Sequence, residues 1–472
     1  MKFEVDLSAL FILENEVKQR MKAQKIDMLQ GSIWNKLPQY ALPVAATGIL
    51  EQLFNASDIA IVGNFTGANR TACVAAVGAN SPIIGLILNL FIGIALGVNV
   101  VIANAVGQRD EKTIQKTVQT SILMAVFAGI VVTIVGELGI GILLQMLHVP
   151  SDVYSYALLY MRIYLLGIPV ILLYNFEAAI FRSIGDTKVP LEALAISGVL
   201  NVLLNLFFVV VLKMTVNGVA TATVIANVIS SLILLMKLRK TKKAVHVNIK
   251  ELHFDRGCFN KIIQIGLPSG IQSAVFAIAN IVIQAAINSL GTIVIAASSA
   301  AFNIEIIAYY VLNSFSQACT TFVGQNYGAR QMKRCNKTLL LCIIEDAIAS
   351  ASVILLVLFF GKSLLAIFNN NPKVIEIGYT RLMIVFSAYI FSMLYENMSG
   401  YLRGFGVSLA PAILTILGVC VVRIFWISFV FPIHKTFSTI MLAYPLSLSI
   451  TAVLIFILLM LYRPSHRLLK KS

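Results

Sequence analysis

Four polar residues, Thr47, Glu51, Asn55 and Asp58, follow one another at spacings of four, four and three inside an otherwise apolar run. At about 100° per residue they fall on one face of a helix. Two carboxylates about two turns apart, with the Asn55 amide between them, can hold a proton or a small cation. They can also do no more than bridge to neighbouring helices or, for Asp58, cap an outer helix end. Ionisable side chains at membrane depth are costly, so they face protein or water and mark a pathway by default. A second stripe, Ser197, Asn201 and Asn205, repeats at spacing four. Its neutral amides coordinate a cation through their carbonyls or hold helices together.

Further along, Gln272, Asn280, Gln284 and Asn288 lie on a run that repeats the first. Gln272, Asn280 and Gln284 are candidate cavity-lining residues. An offset of 225 sets Asn55 on Asn280 but puts Glu51 on Phe276 and Asp58 on Ile283. The acids of the first half are lost while amides remain, so the first half alone is expected to handle the coupling ion. Glu305, followed by Asn313 and Gln317, either faces the cavity or forms a structural ion pair. Glu177, Glu305, Glu345, Asp346 and Glu396 are expected to pair with Arg162, Arg381 or Arg423. Glu137 and Glu192 are expected at helix ends near the interface. Pro43 precedes Asp58 by 15 residues in the same run. It removes one backbone hydrogen bond, so it is the candidate hinge or else a fixed kink.

The elements that carry these residues are membrane helices. The chain has 472 residues and is 58% hydrophobic and only 12% charged, against about 25% charged in soluble domains. Apolar runs of roughly 20 residues recur, each long enough to cross about 30 Å of hydrocarbon. Spans are expected at 37–62, 80–105, 115–146, 156–181, 190–213, 217–237, 261–288, 293–320, 338–368, 377–402, 410–432 and 438–462. The expected fold is therefore an all-α integral membrane protein of twelve transmembrane helices. Net charge is +15, but the basic residues lie mostly between the apolar runs. There they set topology and meet anionic headgroups of the lipid bilayer, and no nucleic acid partner is expected. Six cysteines without a CxxC pair give neither a metal site nor a disulfide framework. No cleavable signal peptide stands out, and the first 30 residues read as a solvated tail with some helix.

Lysines and arginines gather on alternate loops: Lys18 to Lys36, Arg109 to Lys116, Arg182 and Lys188, the central linker, Arg330 to Lys337, Arg403, and Arg463 to Lys471. The positive-inside bias therefore places both termini in the cytoplasm. The expected division is a cytoplasmic tail at 1–36, an N-lobe of helices 1–6 at 37–237, a basic linker at 238–260, a C-lobe of helices 7–12 at 261–462 and a basic tail at 463–472. From Lys237 to Lys261, eight Lys/Arg stand against Glu251 and Asp255.

The two halves are copies. Arg182-Ser-Ile-Gly-Asp-Thr-Lys-Val-Pro190 returns as Arg403-Gly-Phe-Gly-Val-Ser-Leu-Ala-Pro411, with Arg, Gly and Pro each 221 positions later. Tyr174 falls on Tyr395, and Val106-Gly-Gln108 returns as Val323-Gly-Gln325. With six helices per half, both copies start on the same side. They are then related by a pseudo-two-fold axis along the membrane normal, an arrangement common in secondary transporters.

Together these residues resemble multidrug and toxic compound extrusion (MATE) transporters of the MOP superfamily, from about Gly31 to Tyr462. The resemblance rests on Leu42-Pro43, Asp58-Ile-Ala-Ile-Val-Gly63, Gly107-Gln108, the Arg182 to Pro190 segment, Gly218-Val-Ala-Thr-Ala-Thr223 and Gly324-Gln325. It implies two six-helix lobes in a V, open alternately to each side, that expel cationic or amphipathic compounds against Na⁺ or H⁺. By the same resemblance Asp58 is the first-helix acid for the coupling cation and Pro43 the bending proline. Asn201 and Thr223 match fifth- and sixth-helix members of that site, with Asp58 and Asn201 the ligands where the ion is Na⁺. Asn205 stands where many members carry Asp, which removes a charge and raises the importance of Glu51 as a second acid.

The expected function is a cation-coupled (H⁺ or Na⁺) antiporter of the cell (inner or plasma) membrane. It is expected to be monomeric and to need no cofactor beyond the coupling ion. That ion would bind at Asp58 with Asn55, Asn201, Asn205, Thr223 and Glu51, and the substrate would be a small organic cation or amphipathic compound. The alternative is a flippase for a lipid-linked oligosaccharide or peptidoglycan precursor. Such a protein is expected to line its cavity with arginines for pyrophosphate, whereas the conspicuous stripe here is acidic. Five histidines without an HxxxH arrangement, and the lack of a Gly-rich phosphate loop, argue against a membrane enzyme. Nothing resembles a channel filter.

Overall fold

The computed structural model describes residues 26–147 and 149–462, and the expected features of residues 1–25 and 463–472 lie outside them. The chain is a bundle of long helices. In the first half these are α1 (Ile33–Phe65), α2 (Arg70–Gln108), α3 (Glu111–Met146), α4 (Ser151–Ser183), α5 (Lys188–Val211) and α6 (Val216–Lys240). The second half holds α7 (Arg256–Asn288), α8 (Thr292–Gly328), α9 (Met332–Phe368), α10, α11 (Leu409–Val430) and α12 (Phe437–Tyr462). In α10, Pro372–Ser387 meets Tyr389–Gly404 at a 46° bend. Among the described residues ten helices are long and apolar enough to cross a membrane, and α10 makes eleven if its bent pair is one span. The 33-residue α1 falls outside that set because Glu51, Gln52, Asn55, Asp58 and Asn64 interrupt its apolar surface. The expected spans recur in order. The largest departures are the start of α2, ten residues earlier than expected, and the end of α8, eight later. Both extensions are rich in small and polar residues, which apolarity does not mark, but Cys73, Ala76, Phe322 and Val323 bury themselves and keep the helix going.

The duplicated motif is a duplicated turn. Gly185 and Gly406 adopt φ of 81° and 80°, a region open to glycine without steric cost. Their N–H groups donate to the carbonyls of Arg182 and Arg403 at 3.0 and 2.8 Å, closing α4 and α10 in the same way. Pro190 and Pro411 then sit in the first turn of α5 and α11, where a missing N–H costs nothing.

The halves meet where α2 crosses α7 and α8. Gly93 and Gly97 of α2 face Gly270 and Gly266 of α7, and a Cβ on any of the four would strike opposing backbone. Two small-xxx-small pairs thus let the backbones touch, which is how membrane helices associate without a hydrophobic drive. Farther along, Gly107 of α2 abuts the Gln325 carbonyl of α8, and Gly328 of α8 abuts the Asn104 carbonyl of α2. In the structure α2 and α8 correspond at the 221 offset of the Arg-x-x-Gly turns, not at the 217 offset that sets Val106-Gly-Gln108 on Val323-Gly-Gln325; positions 104 and 107 then map onto 325 and 328, and the contact is exchanged between copies, as a two-fold axis requires.

The lobes share their cores at this end. Ile33, Leu37 and Tyr40 of α1 pack among Phe315, Phe322 and Leu402 of the second half. Ile262 and Ile265 of α7 pack among Val98, Ile102 and Phe181 of the first. The last residues of the expected tail are part of this closure rather than solvated. Met28 is fully buried, and Arg334 donates to the carbonyls of Met28, Gln30 and Gly31 at 3.1, 3.0 and 2.9 Å. Ile26 lies against Gly185 of the other half. Residues 26–32 are thus a strap seated on both lobes, because their backbone supplies acceptors that the helix ends around it need. Within the linker, Val245 and Val247 are also buried.

Candidate functional site

Gly198 determines how α1 meets α5. The Phe54 ring fills the space where a Cβ would stand, so the two helices approach closely one turn before Asp58. Asn205 Nδ2 then donates to Asp58 Oδ1 at 2.5 Å and to Asn201 Oδ1 at 3.2 Å. Thr223 Oγ1, from α6, lies 3.1 Å from Asp58 Oδ2 and 3.3 Å from Asn201 Nδ2. Asp58, Asn201 and Asn205 are buried at 5%, 3% and 0% exposure, and Asn205 Oδ1 has no hydrogen-bond partner among the described residues. Three helices therefore converge on one carboxylate inside the first lobe. The stacked pair Tyr160 and Tyr164 of α4, centroids 6.2 Å apart, lies within electrostatic reach of it.

Chemically, this is a single acid held by an amide and a hydroxyl rather than by a cationic side chain. Such a group can take up and give back a proton with only small rotations of its partners. The oxygens of Asp58, Asn201, Asn205 and Thr223 also form a donor set that suits Na⁺, provided the Asn205 amide turns its carbonyl inward.

The other predicted residues do not join this cluster. Glu51 is half-buried, and no hydrogen bond among the described residues links it to Asp58; it lies within reach of Arg182 instead. Asn55 is exposed. Asn280 and Gln284 are exposed, Gln284 donating to Asn288 at 2.8 Å, while Gln272 is buried. Glu305 is one half of an ion pair, with Arg381 Nη2 and Nε at 2.8 and 3.0 Å. Pro43 lies within an unbroken α1, where the Thr47 hydroxyl donates to its carbonyl at 2.8 Å.

Several expected pairings are corrected. Arg162 meets Glu137 at 3.6 Å, Arg403 rather than Arg381 or Arg423 meets Glu396 at 3.4 Å, and Arg423 donates to Ser447. Glu177 accepts from Ser231 at 2.9 Å, and Glu192 pairs with Lys237 at 2.8 Å. Asp346 accepts from Asn397 at 2.6 Å and Ser350 at 2.9 Å. Buried acid is thus not confined to the first lobe: Asp346, Glu345 and Glu396 are 0%, 5% and 5% exposed in the second. These acids come from α9 and α10, outside the copies α1 and α7 between which the carboxylates are lost.

The sequence reading missed the α2–α7 seam and the strap. The seam was visible as Gly-xxx-Gly on both helices; the strap had no signal beyond apolar Ile26 and Met28. Arg182 and Arg403, read as loop charges, line a cavity between the halves instead.

This architecture matches known proteins throughout. The MatE family model matches residues 43–207 and again residues 268–427, once in each half. The chain belongs to the MatE family. Among MatE relatives, "Probable multidrug resistance protein YoeA" of Bacillus subtilis (strain 168) is 24% identical over 395 residues, covering 82% of this chain and 85% of that protein. "Probable multidrug resistance protein NorM" of Thermotoga maritima is 23% identical over 403 residues, covering 83% and 84%. A solved structure described as the "outward-facing conformation of a multidrug resistance MATE family transporter of the MOP superfamily" superposes with a TM-score of 0.86 at 22% identity, covering 95% of this chain and 99% of that one. The MatE fold of the chain, with its paired helical lobes, is that of a membrane transporter.

Proposed function

We propose that this MatE protein is a cation-coupled antiporter that exports cationic or amphipathic compounds by alternating access. The observation that carries the reading is Asp58 of α1, buried among Asn201 and Asn205 of α5 and Thr223 of α6 with no cationic partner among the described residues. Relatives bearing multidrug-resistance names support the substrate class. The lobe contacts gather at the end that carries the strap and the basic linker. With that end cytoplasmic by the positive-inside bias, the state described is closed inward and open outward. We take the chain to act as a monomer in the cell membrane with both termini inside, Pro43 serving as the bending point of α1.

A proton is the favoured coupling ion. The site holds one formal charge, and Asn205 already donates to it where a second acid would help to hold Na⁺. Each charge moving down about 100 mV releases about 2.3 kcal/mol. Ion and substrate must prefer opposite states, since a ligand indifferent to state shifts no equilibrium.

Asp58→Asn in proteoliposomes, under separately imposed pH and Na⁺ gradients, tests the reading. Wild type is expected to export an organic cation when the pH gradient is imposed, and the variant to lose that drive. Undiminished gradient-driven export by the variant would reject the assignment.

A further inference from the structure

The duplicated turns bring one arginine from each half to one cavity. Arg182 ends α4 and Arg403 ends α10, and both line a cavity of about 110 Å³ between the lobes with Asn99, Asn175, Ser269 and Gln317. Arg182 is half-buried, yet no hydrogen bond or ion pair engages its guanidinium among the described residues. Arg403 is 9% exposed; its Nη2 reaches Ser316 Oγ at 3.2 Å and Glu396 Oε2 at 3.4 Å, while its Nε has no partner among the described residues. A guanidinium offers five N–H donors and accepts nothing. Buried and underused, such donors call for an anionic acceptor with several lone pairs. Glu396 is already engaged by Arg403, and Glu51 lies within electrostatic reach of Arg182, but neither lines the cavity. The volume is well below the roughly 300 Å³ that encloses a drug-sized ligand. It suits one carboxylate or phosphate with a few waters.

We propose that Arg182 and Arg403 form an anion subsite at the closed base of the crevice, taking the carboxylate or phosphate end of a soluble amphipathic substrate. The rest of the substrate lies in the crevice above. Compounds with an anionic end thereby join the transported class. The inference rests on the crevice being the substrate path, as proposed above. It is read by binding without any gradient, so a failure of ion coupling leaves the result unaffected.

The test uses the full chain in phosphatidylcholine nanodiscs, titrated with riboflavin and with its monophosphate, FMN, which differ only by the phosphate. Quenching of flavin fluorescence reports binding. Wild type is expected to bind FMN about tenfold or more tighter than riboflavin, the scale of a charge-assisted contact. Arg182→Gln and Arg403→Gln are expected to abolish that preference while keeping riboflavin affinity, which doubles as the check on folding. Should Arg403→Gln fail to fold, Arg182→Gln and Arg182→Lys decide, with Lys retaining part of the preference. Equal affinity for the two flavins, no FMN binding, or a full preference in Arg182→Gln overturns the proposal. A loss of FMN binding when phosphatidylglycerol is added to the discs assigns the cavity to lipid headgroups and overturns its soluble-ligand form.

Discussion

At the residue scale, function in this chain is a matter of which polar atoms lack a charged partner. Among the described residues Asp58 is held by neutral donors and the Arg182 guanidinium by none, which is why we propose the one for loading an ion and the other for gripping a ligand. Asp255 shows the opposite condition. It caps α7 and accepts from Lys116 Nζ at 2.7 Å and from the Cys258 N–H at 2.9 Å. The hydrogen bond from Lys116, and next that from the Cys258 N–H, hold its carboxyl well below the usual carboxylate range. A lowered folded-state value means that the stabilisation is complete above the unfolded value of about 4 and is lost as pH falls through the folded value. The melting temperature of wild type should therefore drop more steeply than that of Asp255→Asn as pH falls below about 4; parallel curves would show that the pair contributes nothing. Asp58, Asn201 and Asn205 were legible in the sequence because polar atoms inside an apolar run have few roles. The fate of Glu51 and Asn55 was not, because it depends on the neighbouring helices and not on the face they share with Asp58.

At the element scale, the seam between α2 and α7 is set by what is missing from it. Gly97 leaves no room for a Cβ against the Ile262 carbonyl, whereas Gly85 on the same helix faces open space. Gly97→Val should cost about 1–3 kcal/mol of lobe contact, enough to shift the balance between states roughly tenfold. Spin labels on the two lobes, read by double electron–electron resonance, should show the basic ends separating in Gly97→Val and not in Gly85→Val. An unchanged distance distribution in Gly97→Val would show that the seam does not hold this state. Helix order and the two copies were readable from apolar runs and repeated Arg-x-x-Gly turns. The start of α2 and the end of α8 were not, because those turns are stabilised by the burial of Cys73, Ala76, Phe322 and Val323 rather than by lipid. Which glycines touch across the seam could not be read either, since that requires both helices at once.

At the scale of the whole molecule, opening the basic end requires the strap at residues 26–32 to leave one lobe or the other. Arg334→Ala removes its three carbonyl contacts, about 1–3 kcal/mol. Met28→Cys should then react faster with a membrane-impermeant maleimide in the Arg334→Ala background than alone, against low labelling of the six native cysteines, all buried. Equal protection in both would show that the seat does not depend on Arg334. Because the strap continues directly into α1, its departure and the movement of the helix bearing Asp58 are tied together by the covalent chain. A tug on the amino-terminal end is thus felt nearly the whole length of α1 away, at the acid. A partner that grasped residues 26–32 would hold a throttle common to every compound carried, with no need to touch any of them.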